Sequence, residues 1–216
     1  DEKILKTPAK KEMLLPTKAP AKKIALEWDK QVGEIDPNGM PFTKSANAAL
    51  DKVIEQFEEV SSLVSDYGDT DLLYYRADSP AELQMRQKSS WDPIIDWAEK
   101  TFEVKINCGT GILYISQDKK LVYKLSKEIS DLSPFQLTAL YDIVSITGSL
   151  ILGLATINGR LSAEEAFNLS RIDELWQIEQ WGADEEAQAV SELKYEAVRH
   201  AQEFFVLSSR NKSTIF

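Results

Sequence analysis

The sequence predicts an α+β protein that is predominantly α: a small N-terminal β piece with a linker helix (residues 1–40) joined to a helical domain (41–216). Three observations predict it. Apolar residues recur at helical spacing through most of the chain after Ala21. Helix-start signatures recur at Ser79, Ser133 and Ser162. Only the opening segment has the pattern of a hairpin, with Ile4-Leu5 and Met13-Leu14-Leu15 flanking a turn-prone TPAKKE and Pro16 stopping the second strand.

Two strands alone are marginal in water, so that hairpin has to lean on the rest of the chain. Ile24, Ala25, Trp28 and Val32 follow the helical period before the turn Asp36-Pro37-Asn38-Gly39. Ala46, Leu50, Val53, Phe57, Val60 and Val64 line one face of a longer helix that stops at Gly68. Ser79-Pro80-Ala81-Glu82 starts the next helix, and Asp92-Pro93 repeats the signal, which predicts a separate helix carrying Ile94, Ile95 and Trp97. Val104-Lys105-Ile106 and Ile112-Leu113-Tyr114-Ile115 read as short strands around Gly109 and Gly111. Leu121, Leu125 and Ile129 mark a helix over 118–130. Ser133-Pro134-Phe135-Gln136 opens an apolar helix carrying Leu137, Leu140, Val144, Ile151 and Leu154. Its apolar run, Ile143 to Ile157, is shorter than the roughly 20 residues of a membrane span and is interrupted by Ser145, Thr147 and Ser149, so it is expected to be buried core. Ser162-Ala163-Glu164-Glu165 opens a helix ending at Trp181-Gly182. The last runs from about Asp184 to Val206, with Val190, Leu193, Ala197, Ala201 and Phe204 inward.

Hydrophobic residues make up 43% of the 216 and charged residues 28%, ordinary usage for a chain with a packed core. The formal net charge of −10 is unevenly spread: eight lysines against five acids leave residues 1–30 at +3 and the remainder at −13. So acidic a body repels phosphate backbones, which argues against nucleic-acid binding. No membrane insertion is expected. With one cysteine, Cys108, no internal disulfide forms, which suits a reducing compartment.

The inventory for catalysis is thin. His200, the only histidine, sits within the last helix and reads as a packing or surface residue. Cys108 has no imidazole nearby in sequence and reads as a small buried residue. One Cys and one His cannot make a zinc site, and the glycines of NCGTG lack the Lys-Ser/Thr that follows a phosphate loop. Neither an enzyme, a cofactor nor a metal is expected. Of the five tryptophans, Trp28 and Trp97 are expected in the core, whereas Trp181 ends its helix just before Gly182.

The most informative segment is Ser162 to Trp181. At about 100° per residue, Leu169, Ile172, Leu175 and Trp176 fall on one arc and Phe167, Ile178 and Trp181 on another. A helix apolar on two sides is sandwiched or presents one side to a partner. Glu179 falls within the first arc and Glu174 within the second, and a carboxylate on an apolar face needs a partner. That partner is either internal, Arg171 or Arg160, or a basic group on another protein.

The run SRIDELWQIEQWG (170–182), preceded by TGSLILGLA and GRLSAEEAF, resembles the family of assembly chaperones for the alpha subunit of the ATP synthase catalytic head, found in mitochondria and alpha-proteobacteria. The stretches KTPAKKEMLLPT, ALEWDKQ, DPNGMPFTKSANAALD, DLLYYRAD and SSWDPIIDWAE extend the resemblance over nearly the whole chain in order. It implies a β-rich N-terminal domain, of which 1–40 is a remnant here, and a helical C-terminal domain acting without ATP or metal. The implied client is the newly made alpha subunit, held until assembly. The family's acidic pair corresponds to Asp173 and Glu174, followed by Gln177 and Trp181, and these four are client-binding candidates. Glu179 joins them from the helical wheel. The terminal FFVLSSRNKSTIF has no counterpart in the resemblance. A monomer in the bacterial cytoplasm is expected, with the mitochondrial matrix as the alternative compartment. The alternative function is a structural or adaptor subunit of a larger complex, which would co-purify with that complex at fixed stoichiometry.

Overall fold

The structure, a computed structural model, describes residues 4–209. Ten α-helices dominate the described residues: α1 Lys18–Asp29, α2 Pro41–Ala48, α3 Phe57–Asp66, α4 Ala81–Phe102, α5 Lys119–Ser130, α6 Pro134–Thr147, α7 Leu150–Ile157, α8 Ala163–Ser170, α9 Ile172–Trp181 and α10 Glu185–Ser208. The only regular sheet among these residues has two strands, β1 (Tyr75–Arg76) and β2 (Gly109–Thr110), paired parallel. The fold class is therefore as expected, but the sheet sits between helices rather than at the N-terminus. The opening hairpin is reduced to one antiparallel bridge, Lys6 to Glu12, with Met13 N–H donating to the Leu5 carbonyl. It leans on the body as two lone strands must. The Asp51 carboxylate accepts from Thr7 Oγ1 and Ala9 N, Lys11 Nζ donates to the Leu50 carbonyl, and Met13 and Leu15 pack on the cluster of Ile24, Phe42, Phe135 and Phe204.

The centre is the α6–α7 pair. The apolar run is buried as expected, but as two helices instead of one: Gly148 adopts φ +68°, and Ser149 caps α7 by accepting from Leu152 N. Every residue from Leu150 to Thr156 is buried. Gly153 lets α7 lie against α6, since a Cβ there would come within 2.7 Å of a Val144 methyl. The capping boxes at Ser133–Gln136 and Ser162–Glu165 both form, and Leu121, Leu125 and Ile129 are fully buried.

Other sequence expectations fail for local reasons. α4 is one helix that runs through Pro93. Proline there removes the hydrogen bond to the Ser89 carbonyl, but Ser89 and Pro93 both face solvent, where water can serve that carbonyl, while Trp91, Ile94 and Ile95 anchor the buried side. Ser79 makes no capping bond and Pro80 stands at the N-cap. The helix read from Ala46 to Val64 loosens into a wide turn over Ala49–Val53 and restarts at Phe57. The strands read at 104–106 and 112–115 do not form. Gly111, at φ +85°, turns the chain off the edge of β2, and Ile112 and Leu113 are left exposed. Cys108 is exposed as a residue rather than buried.

Trp28 is also misplaced by the sequence: it lies at the surface, and Val32, beyond the end of α1, is 91% exposed. The neighbouring Glu27 faces inward in its stead, accepting from Phe42 N (2.7 Å), Thr43 N (2.8 Å) and Thr43 Oγ1 (2.7 Å) and so capping α2. Trp97 is half-buried against the main core, and the fully buried tryptophan is Trp91.

His200 packs edge-on to the Phe42 ring at 4.5 Å, with Nε2 3.0 Å from Ser45 Oγ. Burial pulls its imidazole down to about 4, with Glu203 partly opposing. A base held below its ordinary value binds protons better unfolded, so this contribution to stability is complete above about pH 6.5 and falls away towards pH 4. Burial pushes Asp71 and Asp142 up to about 6, and their contributions have the opposite sign, rising as pH falls from about 6 to about 4. Because the chain has a single histidine, its NMR titration is unambiguous: a midpoint near 4 is expected, and one near 6.5 would show the ring to be solvated.

Candidate functional site

The five candidate residues stand together on α9, but the helix is shorter than the sequence suggests. Arg171, at φ −117° and ψ 20°, breaks the segment into α8 and α9, so a wheel drawn across both does not hold. α9 lies against α4. Trp91 Nε1 donates to the Leu169 carbonyl at 2.8 Å just before the break, and Asp173 accepts from Nε2 of Gln87, whose Oε1 accepts from Ala77 N. Arg86 Nη1 reaches Glu179 at 2.8 Å and its guanidinium lies 5.5 Å from the Trp176 ring. Glu174 takes a bidentate pair from Arg171 (2.7 and 2.8 Å), which holds its carboxyl below the usual carboxylate range.

All three carboxylates thus have internal partners. Ion pairs this exposed contribute only about 0–1 kcal/mol, so they fix the acids in place more than they stabilise the fold. Gln177 and Trp181 make no side-chain hydrogen bond among the described residues, and Trp181 is 79% exposed. Leu175, Ile178 and Trp181, spaced by three, share the side of α9 turned from α4, where they edge a groove of about 560 Å³ whose other wall is α10.

The sequence does not reveal the role of the first half of α10. Val190 and Leu193, expected inward, are 47% and 72% exposed, and Ala197 is exposed too; burial of this helix begins in earnest at Val198. The arm reaches past the body that would cover it. A signal was present: residues 172–193 contain seven acids and no Lys or Arg. An exposed tryptophan and a line of apolar side chains on an acidic helical arm are features that protein-binding surfaces share.

Among the described residues no group of three or more His, Cys, Asp or Glu is placed to hold a metal, and no helix is long and apolar enough to cross a membrane.

Residues 1–99 match the family model for the ATP12 chaperone protein. The crystal structure of Atp12 from Paracoccus denitrificans is 47% identical and superposes with a TM-score of 0.94 over 97% of this chain and 90% of that one. An Agrobacterium tumefaciens protein is 33% identical, with a TM-score of 0.91 over 95% of this chain and 77% of that one. Mitochondrial atp12 of Schizosaccharomyces pombe is 28% identical over 200 residues, covering 87% of this chain and 66% of the yeast protein. The chain belongs to the ATP12 chaperone family.

Proposed function

We propose that the chain is a holdase for the unassembled alpha subunit of F-type ATP synthase, promoting assembly of the catalytic head without catalysis, nucleotide or metal. The observation that carries this reading is Trp181, 79% exposed at the end of a half-buried apolar edge of α9 formed with Leu175 and Ile178, in an acidic arm whose residues 181–190 are all exposed among the described residues. A subunit awaiting assembly exposes apolar surface and aggregates at micromolar concentration, and a surface of this kind can shield it. Gln177 and Trp181 are the contact residues in this reading. Asp173, Glu174 and Glu179, held by Gln87, Arg171 and Arg86, set register and capture rate more than total affinity. Family membership supports the chaperone class; the bacterial and the mitochondrial relatives are in keeping with either the bacterial cytoplasm, the setting in this reading, or the mitochondrial matrix, its alternative.

The test is a pull-down of tagged protein from cells assembling ATP synthase, with partners identified by mass. The alpha subunit is expected with wild type and strongly depleted with Trp181→Ala, and the chain is expected to be absent from the finished enzyme. Stoichiometric recovery within the finished enzyme would make it an adaptor subunit instead.

A further inference from the structure

Two helices joined by a three-residue turn normally pack on each other as an antiparallel hairpin. α9 and α10 do not. Gly182 at φ +93° and the Asp184 cap on Ala187 N turn the chain, but α9 then rests on α4 while α10 rests on α6 and α8, and the two make no extensive contact with each other. Their facing sides leave the open groove of about 560 Å³. One wall is Leu175, Ile178 and Trp181. The other presents Ala187 and Ser191, small residues one turn apart that let a third element approach closely.

The charges around the groove are predominantly negative. Glu174, Asp184 and Glu192 stand at its edge, opposed by Arg171, which Glu174 already engages, and by Lys194, whose charge also acts on Glu174. Glu185 and Glu186 add to the field of an arm that has no basic residue between Ile172 and Leu193, whereas Glu179 is engaged by Arg86 on the α4 side. An apolar slot between two helices accepts the apolar seam of a third, by the same ridge-and-groove packing that builds bundles. Its acidic border selects for cations on either side of that seam and disfavours anions.

We infer that the α9–α10 groove receives a basic amphipathic α-helix of the client, one with apolar residues at i, i+3, i+4 and i+7 flanked by Lys or Arg. This rests on the holdase reading and states what part of a client the arm recognises. α9 is ten residues long, so it contacts about 15 Å of that helix, or some three turns.

The experiment uses fluorescein-labelled peptides of about five turns: a Leu/Lys helix with such a seam, a scramble of identical composition, and a Leu/Glu helix with the same seam. Anisotropy with the full chain at physiological salt is expected to show the Leu/Lys helix binding at least tenfold more tightly than either control. Trp181→Ala and Ala187→Arg should each weaken it at least tenfold. Both positions are exposed, so circular dichroism should be unchanged. Leu113→Ser, on an exposed loop outside the groove's lining, should have no effect. Equal binding of the scramble, or indifference to both groove substitutions, overturns the inference.

Suppression of alpha-subunit aggregation by the same variants separates the two ideas. If wild type and Ala187→Arg suppress equally, the groove assignment falls and the holdase reading stands. If the peptide pattern holds but wild type does not suppress, the holdase reading falls and the groove stands.

Discussion

Trp91→Ala is expected to leave the protein largely unfolded at 37 °C. The side chain is 1% exposed within the main cluster, the Arg76 guanidinium lies 4.8 Å from its ring, and Nε1 holds the Leu169 carbonyl just ahead of α9. Truncating a buried tryptophan costs about 3–5 kcal/mol, and the orphaned carbonyl adds about 1–3 kcal/mol, against a typical total of about 5–15 kcal/mol. Trp28→Ala, at a surface position, should cost less than about 1 kcal/mol. Urea unfolding of both variants checks this. Comparable losses would mean that Trp28 is packed in the core rather than at the surface of α1.

The second large effect is expected at Asp71. This carboxylate is fully buried and joins two elements far apart in sequence: Oδ1 accepts from Leu73 N (3.0 Å) and Ser149 Oγ (2.7 Å), and Oδ2 from Ile151 N (2.9 Å). It thus pins the turn before β1 to the N-terminus of α7, where the helix dipole favours a negative charge. Asp71→Ala strands two buried N–H groups and should destabilise by roughly 2–5 kcal/mol, net of the relief from burying a charge. Asp71→Asn should fall between, since its amide oxygen can still accept from Leu73 or Ser149 while its NH₂ faces Ile151 N–H. The alanine variant should also lose part of the stability gained on acidification from about pH 6 to about pH 4, because the group with the raised pKa is gone. Wild-type stability and pH dependence in Asp71→Ala would show that the three hydrogen bonds do not hold the carboxylate.

These two residues mark what was legible in the sequence and what was not. Features set by neighbours in the chain were readable. The capping boxes at Ser133 and Ser162, the Leu121/Leu125/Ile129 stripe and the stop at Gly182 all form where local chemistry puts them. Features set by tertiary partners were not. Trp28 and Trp91 are equally apolar, and only the placement of α4 beneath α9 decides which is covered. Glu27 looks like a surface acid until α2 brings its N-terminus to it. Pro93 signals a helix start, yet core contacts on both sides of it outweigh one missing hydrogen bond. Val190 and Leu193 fit an inward stripe, but α10 outruns the body that would have covered them. At the candidate site, the placement of Asp173, Glu174, Gln177, Glu179 and Trp181 on one helix was readable. The break at Arg171 and the gap between α9 and α10 were not, because both depend on where each helix packs.

The proposed holdase role, shielding the alpha subunit by binding alone, is tested most directly by light scattering of purified alpha subunit diluted from denaturant, with and without the chain and with no nucleotide present. Suppression should approach completion near one chain per subunit and should weaken with Trp181→Ala. Scattering that the wild-type chain leaves unchanged, or that falls only when ATP is added, would contradict it.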